Sequence, residues 1–275
     1  MATSNGAPRP SVFNTTLPST SSPRVHNIQN FQIRTQKLPI LKAGPIEEMT
    51  HKLGIAPPEM IFGDNYVSIQ HGPSNWSISF SAFGALDRVD KTGERRLKVA
   101  YSREWAQSRE DSHDITEVVK PFDWSYSTDF RGETTGPKQW KDTDAGIPLE
   151  LLKRPDPILF FDDVVLYEDE LADNGIAMLS VKIRVMPQRL LLLQRFFMRL
   201  DGVLVRLRDT RVYVDFGQEK VIREYVARER GYEELVKREL AGRRDDVAAV
   251  LRDPNQLVEL LPVVERKVEE VFLGG

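Results

Sequence analysis

Runs of this chain in which apolar and polar residues alternate predict strands, and runs with apolar residues three or four apart predict helices. Phe31 to Leu41 alternates through Phe31, Ile33 and Thr35 until Pro39 interrupts it, and Val67 to Gln70 and Trp76 to Phe83 are also strand-like. Ile46, Met49 and Leu53 give Pro45 to Leu53 the spacing of a helix that Gly54 stops. Ile158 to Tyr167 is a β-rich run. Asn174-Gly175 after it predicts a hairpin, because a type I′ turn needs positive φ at both central positions. The return strand alternates Val181, Ile183 and Val185 with Lys182 and Arg184, and Pro187 closes it. Leu190 to Leu200, Val203 to Leu207 and Arg211 to Phe216 predict further strands, the first two joined by Asp201-Gly202.

Beyond Phe216 the spacing changes. Val221, Ile222, Tyr225, Val226, Tyr232, Leu235, Val236 and Leu240 recur at helical intervals, with Gly242 near a natural end. A shorter helix is expected from Pro262, with Val264, Val268, Val271 and Phe272 on its apolar face. Strands in hairpins, with helices held mostly to one end, predict an α+β fold on antiparallel sheet with a C-terminal helical segment.

Composition refines this outline. Residues 1–25 are rich in Ser, Thr, Pro and Asn, too poor in large apolar groups to offset their ordering entropy, and are expected to form a disordered tail. Residues 26–275 then make a single α+β domain, long enough to build a core without staples. Within it, Lys98 to Gly146 reads as loops and short elements packed by Trp105, Trp124 and Trp140. The absence of cysteine removes disulfides, thiol nucleophiles and thiolate metal sites. A formal net charge of −3 argues against a nucleic-acid partner. No apolar run reaches the length of a membrane span, and the N-terminus lacks the pattern of a secretory signal. The expected location is the cytoplasm, with the nucleus also open to it.

Catalytic patterns are missing from the sequence. There is no G-x-S-x-G elbow, no phosphate-cradling G-x-x-x-x-G-K-[ST] and no H-E-x-x-H. His26, His51, His71 and His113 are scattered, without a metal-ligand partner at i+3 or i+4. Asp201-Gly202-Val203-Leu204 lacks the second Asp that a phosphotransferase loop needs, since Arg199 stands there. The acidic runs Asp162-Asp163 and Glu168-Asp169-Glu170 read as solvated faces. No catalytic residue, metal site or cofactor is expected. The enzymatic alternative is a metal-dependent hydrolase or phosphotransferase using Asp64, His71, Asp123 and Asp129.

A two-residue turn at Asp201-Gly202 would set Leu200 across from Val203, Met198 from Val205 and Phe196 from Leu207 on one apolar face. The other face would oppose Arg195 to Arg208, Phe197 to Arg206 and Arg199 to Leu204. Like charges facing each other across a ladder are destabilising, so carboxylates must lie nearby. They could come from Glu168, Asp169 or Asp209 within the chain, or from a partner bound to an Arg-and-aromatic surface that includes Arg206 and Arg208. The residues alone leave both sources open.

Several unusual stretches resemble the TIPRL family of TOR-pathway regulators. They are Pro58 to Asn65 (PEMIFGDN), Ile69 to Gly72 (IQHG), Lys120 to Asp129 (KPFDWSYSTD), Tyr167 to Leu171 (YEDEL), Leu179 to Pro187 (LSVKIRVMP), and Leu200 to Leu204 (LDGVL) running on to Asp209-Thr210-Arg211. The resemblance implies a non-catalytic protein that binds the catalytic subunits of type 2A phosphatases, working alongside the alpha-four-type phosphatase-binding protein. It also implies contacts at positions matched by Ile147, Leu207 and Asp209. Leu207 stands where the animal member has Met, a swap of similar volume, and an acidic family contact is replaced by Gly84. Asp209 could instead cap Thr210 and Arg211 locally.

Overall fold

A computed structural model describes residues 22–89, 98–99, 122–123, 126–171, 173–241 and 247–274. In chain order, the first half of the molecule forms β1 (Arg24–Ile28), β2 (Phe31–Gln36), α1 (Ala43–Leu53), β3 (Met60–Ile61), β4 (Tyr66–His71), β5 (Trp76–Ser81) and α2 (Ala82–Asp87). Short pieces follow: β6 (Lys98–Val99), β7 (Phe122–Asp123), β8 (Glu133–Thr135), β9 (Lys141–Asp142) and α3 (Leu149–Leu152). The long strands are β10 (Phe160–Asp169), β11 (Gly175–Met186), β12 (Arg189–Leu200), β13 (Leu204–Asp215) and β14 (Lys220–Gly231). Next come α4 (Tyr232–Glu234), which continues as a π-helical turn over Leu235–Leu240, then α5 (Val247–Val250), α6 (Pro254–Leu257) and β15 (Val263–Phe272).

These strands make an α+β protein dominated by antiparallel sheet. The five-stranded sheet has the order β1-β2-β4-β5-β8 and the eight-stranded sheet β3-β10-β11-β12-β13-β14-β15-β9, while β6 and β7 pair separately. The inner face of the large sheet carries Val181, Ile183, Leu192, Phe196 and Val212 into one core with Phe31, Ile33, Ile69, Ile78 and Phe80 of the small sheet. Alternate residues of the same strands form an outer face with a cover at each of its two ends. The segment from α4 to α6 covers Phe197, Val205 and Leu207. Ile147 and Leu152 cover Leu191, Tyr213 and Ile222.

Two expectations for the last third fail. Lys220–Gly231 is a strand, not a helix, because β14 lies between β13 and β15 with both faces covered. Val221 enters the inner core while Ile222 and Val226 are buried on the outer side, so adjacent apolar pairs imitate helical spacing. Val263–Phe272 is likewise a strand, as its β-branched valines suit. Helix does form where Leu235 and Leu240 were expected to supply it, in a C-terminal helical segment that lies between β14 and β15. The first strand starts at Arg24, inside the stretch read as a tail, whose residues 1–21 lie outside the described ones, as do Trp105 and Trp124. No helix among the described residues is long and apolar enough to cross a membrane.

The hairpin joining β10 to β11 exists, but its connection is longer than a two-residue turn. Asp169 pairs with Ala177, Leu171 and Asp173 take positive φ, and Asn174 N donates to Leu171 O. Gly175 is a strand residue opposite Leu200, and a Cβ there would stand 1.9 Å from the Arg199 carbonyl oxygen. Gly175→Ala must therefore push β12 away, and we expect it to cost about 2 kcal/mol or more, read as a lower denaturant midpoint.

Polar links fix the two sheets together. Asp162, 2% exposed, accepts from Thr35 at 2.5 Å and pairs with Lys37 at 2.5 Å and Arg24 at 3.0 Å. Burial alone would raise its pKa, but the bonds from Lys37 and Thr35 hold it low. At the opposite end, Glu219 accepts from Asn30 at 2.5 Å and lies 3.2 Å from His71 Nε2, whose Nδ1 meets Ser74 at 2.8 Å. The Asn30 bond first, then His71, pulls the Glu219 pKa below the usual glutamate range. A lowered carboxylate adds stability at pH values above its unfolded pKa and loses it as pH falls through the folded one. Wild type should thus lose more stability than Glu219→Gln on acidification from about pH 6 to pH 3, measured by thermal midpoints.

Candidate functional site

Asp201, Gly202 and Val203 together form the turn between β12 and β13, with Val203 N donating to Leu200 O at 3.0 Å. The extra residue shifts the register by one from the two-residue expectation. Leu200 pairs with Leu204, Phe197 with Leu207, Phe196 with Arg208 and Arg195 with Asp209. The anticipated single arginine face is therefore split. Arg195, Arg199, Leu207 and Asp209 occupy the outer face, and Arg206 and Arg208 the inner one.

Asp209 is 0% exposed. Arg195 grips it bidentately at 2.7 and 2.8 Å, Arg211 adds a bond at 3.2 Å, and Arg195 reaches Asn255 of α6 at 2.8 Å. The carboxylate for these arginines thus comes from the chain itself. Arg199 pairs with Asp201 at 2.8 Å and donates to Leu251 O at 3.1 Å. Leu207 is 1% exposed beneath the α4–α6 segment, and Ile147 is 8% exposed against Tyr213 and Ile222. Leu207 and Asp209 consequently lie beneath the α4–α6 cover and Ile147 forms part of the other cover, all three away from solvent. Arg206 and Arg208 share Glu229, at 2.6 and 3.2 Å.

The inner face past the small sheet holds a charged pocket of about 200 Å³. Its lining includes Arg88, Asp129, Arg131, Arg223, Lys267 and Glu269, four cations to two carboxylates. Arg223 holds Glu269 at 2.7 and 3.0 Å, donates to Arg131 O at 3.2 Å and stacks 4.1 Å over Trp140. Arg131 stacks 5.1 Å over Tyr225, and Lys267 pairs with Glu269 at 2.8 Å. Burial would raise the Glu269 pKa, yet Lys267 and Arg223 keep it low, so the carboxylate stays ionised. Arg88 is exposed and makes no side-chain bond among the described residues. Arg208 and Arg206 follow along the same face of β13, beyond Tyr225, extending the cationic strip. A site with surplus guanidinium and ammonium groups suits an anionic group.

Sequence reasoning missed Arg223, Lys267 and Glu269 because their strands read as helices; the period-two placement of Arg223 with Tyr225 and of Lys267 with Glu269 was the available signal. Gly84 lies in α2, where a Cβ would come within 3.2 Å of the Phe130 ring. Of the hydrolase residues, Asp64 and His71 are not brought together. Asp64 is exposed in the turn before β4 while His71 is buried at its far end, roughly 20 Å along extended chain. Asp129 is exposed at the pocket, and Asp123 belongs to β7. Among the described residues no group of three or more His, Asp or Glu could hold a metal ion.

Fold and candidate site together define a protein of two main antiparallel sheets with a cation-rich pocket on the inner face of the larger one. The model of the TIP41-like family matches residues 60–236, and the chain belongs to that family. It is 39% identical over 272 residues to the type 2A phosphatase activator TIP41 of Saccharomyces cerevisiae, covering 92% of this chain and 76% of the relative. It is 38% identical over 246 residues to the human TIP41-like protein, covering 88% and 87%. The TIP41-like protein of Caenorhabditis elegans is 40% identical over 221 residues, covering 78% and 73%.

The buried clamp on Asp209 yields a prediction opposite to that of an exposed contact residue. Asp209→Asn leaves Arg195 and Arg211 facing a neutral group, and we expect a loss of about 3–5 kcal/mol. At roughly 2–4 °C per kcal/mol the thermal midpoint falls measurably, in the absence of any partner.

Proposed function

We propose that this protein is a non-catalytic regulator that binds the catalytic subunits of type 2A protein phosphatases and modulates their activity or assembly. The observation that carries the reading is the likeness, along nearly the whole chain, to a yeast protein named as a type 2A phosphatase activator. The site supports it in chemical terms: a cation-rich strip is a recognition surface, and protein interfaces are enriched in arginine and aromatic residues. In this reading an anionic group of the phosphatase occupies the pocket, with Arg206 and Arg208 extending the contact. Ile147, Leu207 and Asp209 contribute by holding the covers of the outer face in place. In the same reading the protein acts in TOR signalling in the cytoplasm, with the alpha-four-type phosphatase-binding protein as a second partner.

The test is direct binding to a purified type 2A catalytic subunit, followed by surface plasmon resonance. Arg88→Glu reverses a charge at the pocket without breaking a side-chain bond among the described residues. It should weaken binding about tenfold, the loss of one charge-assisted contact, while the thermal midpoint holds. Unchanged affinity would remove the pocket from the interface, and failure of the wild-type chain to bind would remove the phosphatase reading itself.

A further inference from the structure

Between its two covers the outer face stays open over β10, β11 and β12. Cross-strand pairing lays Phe161, Arg184 and Leu191 in one row and Asp163, Lys182 and Leu193 in the next. Phe161 is 53% exposed, as are Ile158 at 54% and Leu159 at 47% just before it. Leu191, Leu193 and Val165 are half-buried. Three large apolar side chains within four residues, continuous with an open sheet face, form a patch that water solvates poorly.

The charges around this patch are unevenly matched. Lys182 pairs with Asp163 at 2.9 Å, Arg189 with Asp156 at 3.2 Å, and Arg211 with Asp209 at 3.2 Å. Arg184, between Phe161 and Leu191 in its row, makes no ion pair or side-chain hydrogen bond among the described residues. The same holds for exposed Arg154, in the segment leading to Ile158. A guanidinium set among apolar groups without its own carboxylate is complementary to a partner that brings one.

Strand addition is blocked at the adjoining edge. On β10, Phe161 O accepts from Arg24, Val165 O from Asn65 and Leu166 O from Phe62 N. The side-chain face is what remains. It extends about 13 Å along the strands and about 10 Å across them, matching the apolar stripe of a short helix. A membrane fits less well, because Asp156 and Asp163 lie on the same surface.

We propose that the open outer face centred on Phe161, Arg184 and Leu193 docks an amphipathic helical segment of a second protein, with carboxylates flanking its apolar stripe. The surface lies on the opposite side of the large sheet from the cationic pocket, so both can be occupied at once.

Fluorescence anisotropy on the full chain tests this with a labelled helical peptide of about 14 residues, leucines at i, i+3, i+4 and i+7 and glutamates beside them. A counterpart carries lysine in place of each glutamate. The acidic peptide should bind at least about tenfold more tightly than the basic one. Phe161→Ser and Arg184→Glu should each weaken it by a similar factor without moving the thermal midpoint, and Arg184→Lys should keep part of the affinity. Absence of acidic-peptide binding, equal binding of both peptides, or affinity untouched by the two variants would overturn the proposal. So would binding of phosphatidylserine vesicles, lost in the same variants, in place of the peptide.

Discussion

The register of β12 against β13 is the constraint on which the rest of the arrangement depends. It is set at one place, where Gly202 takes φ 74° and Val203 N closes the turn on Leu200 O. Val203 O in turn accepts from Tyr232 N at 3.0 Å, so the turn also anchors the start of α4. Side chains alternate strictly along a strand, and a slip of one residue would move every one of them to the wrong face. In the observed register Asp209 lies across from Arg195, and the charge of each answers the other. A buried carboxylate without that clamp would be far too costly, which makes the pair a strong selector of this pairing over its neighbours.

From that register follows a division of labour between faces. Successive residues of one strand serve different surfaces: Leu207 and Asp209 support the outer cover, while Arg206 and Arg208 join the cationic strip on the inner side. The positions implied by family resemblance are thus buried supports, while Arg206 and Arg208, expected from the residues themselves, are partly exposed charges. In the proposed reading, substituting a support or a surface charge would reduce binding, and substituting a buried support would also lower the stability of the free protein. Stability and affinity measured together distinguish the two kinds of position.

Much of this was legible in the sequence, for identifiable reasons. β11, whose outer face is partly open, showed its alternation clearly in Val181, Lys182, Ile183, Arg184 and Val185. β14 and β15 were not readable in the same way. Burial on both sides of β14 erased its alternation, and the mixed valines and charges of β15 have helical spacing by coincidence. Turn length was also hidden, since Asp201-Gly202 serves a two-residue and a three-residue connection equally well. That single ambiguity misassigned the arginine face, because the period of two converts a one-residue error into a change of side. The pocket was illegible for a further reason: Arg131 comes from the polar middle of the chain and meets Arg223 and Lys267 only through tertiary folding.

The pocket's construction bears on how it would act. Its cations are held by contacts that leave their charge intact: Arg223 on the Trp140 ring, Arg131 on Tyr225, and both Arg223 and Lys267 on Glu269. Trp140 in turn meets Trp76 of the small sheet at 5.8 Å and donates to Thr134 at 3.1 Å. The guanidinium groups are therefore oriented by the seam between the sheets before any ligand arrives, and little side-chain entropy remains to be lost on binding. One carboxylate shared among several cations leaves net positive charge at the mouth, where exposed Arg88 adds to it. Attraction over a distance and a fixed geometry at contact both follow from the same few residues. The ion pairs inside the pocket hold those cations in position while leaving the surplus charge that an anionic partner would meet.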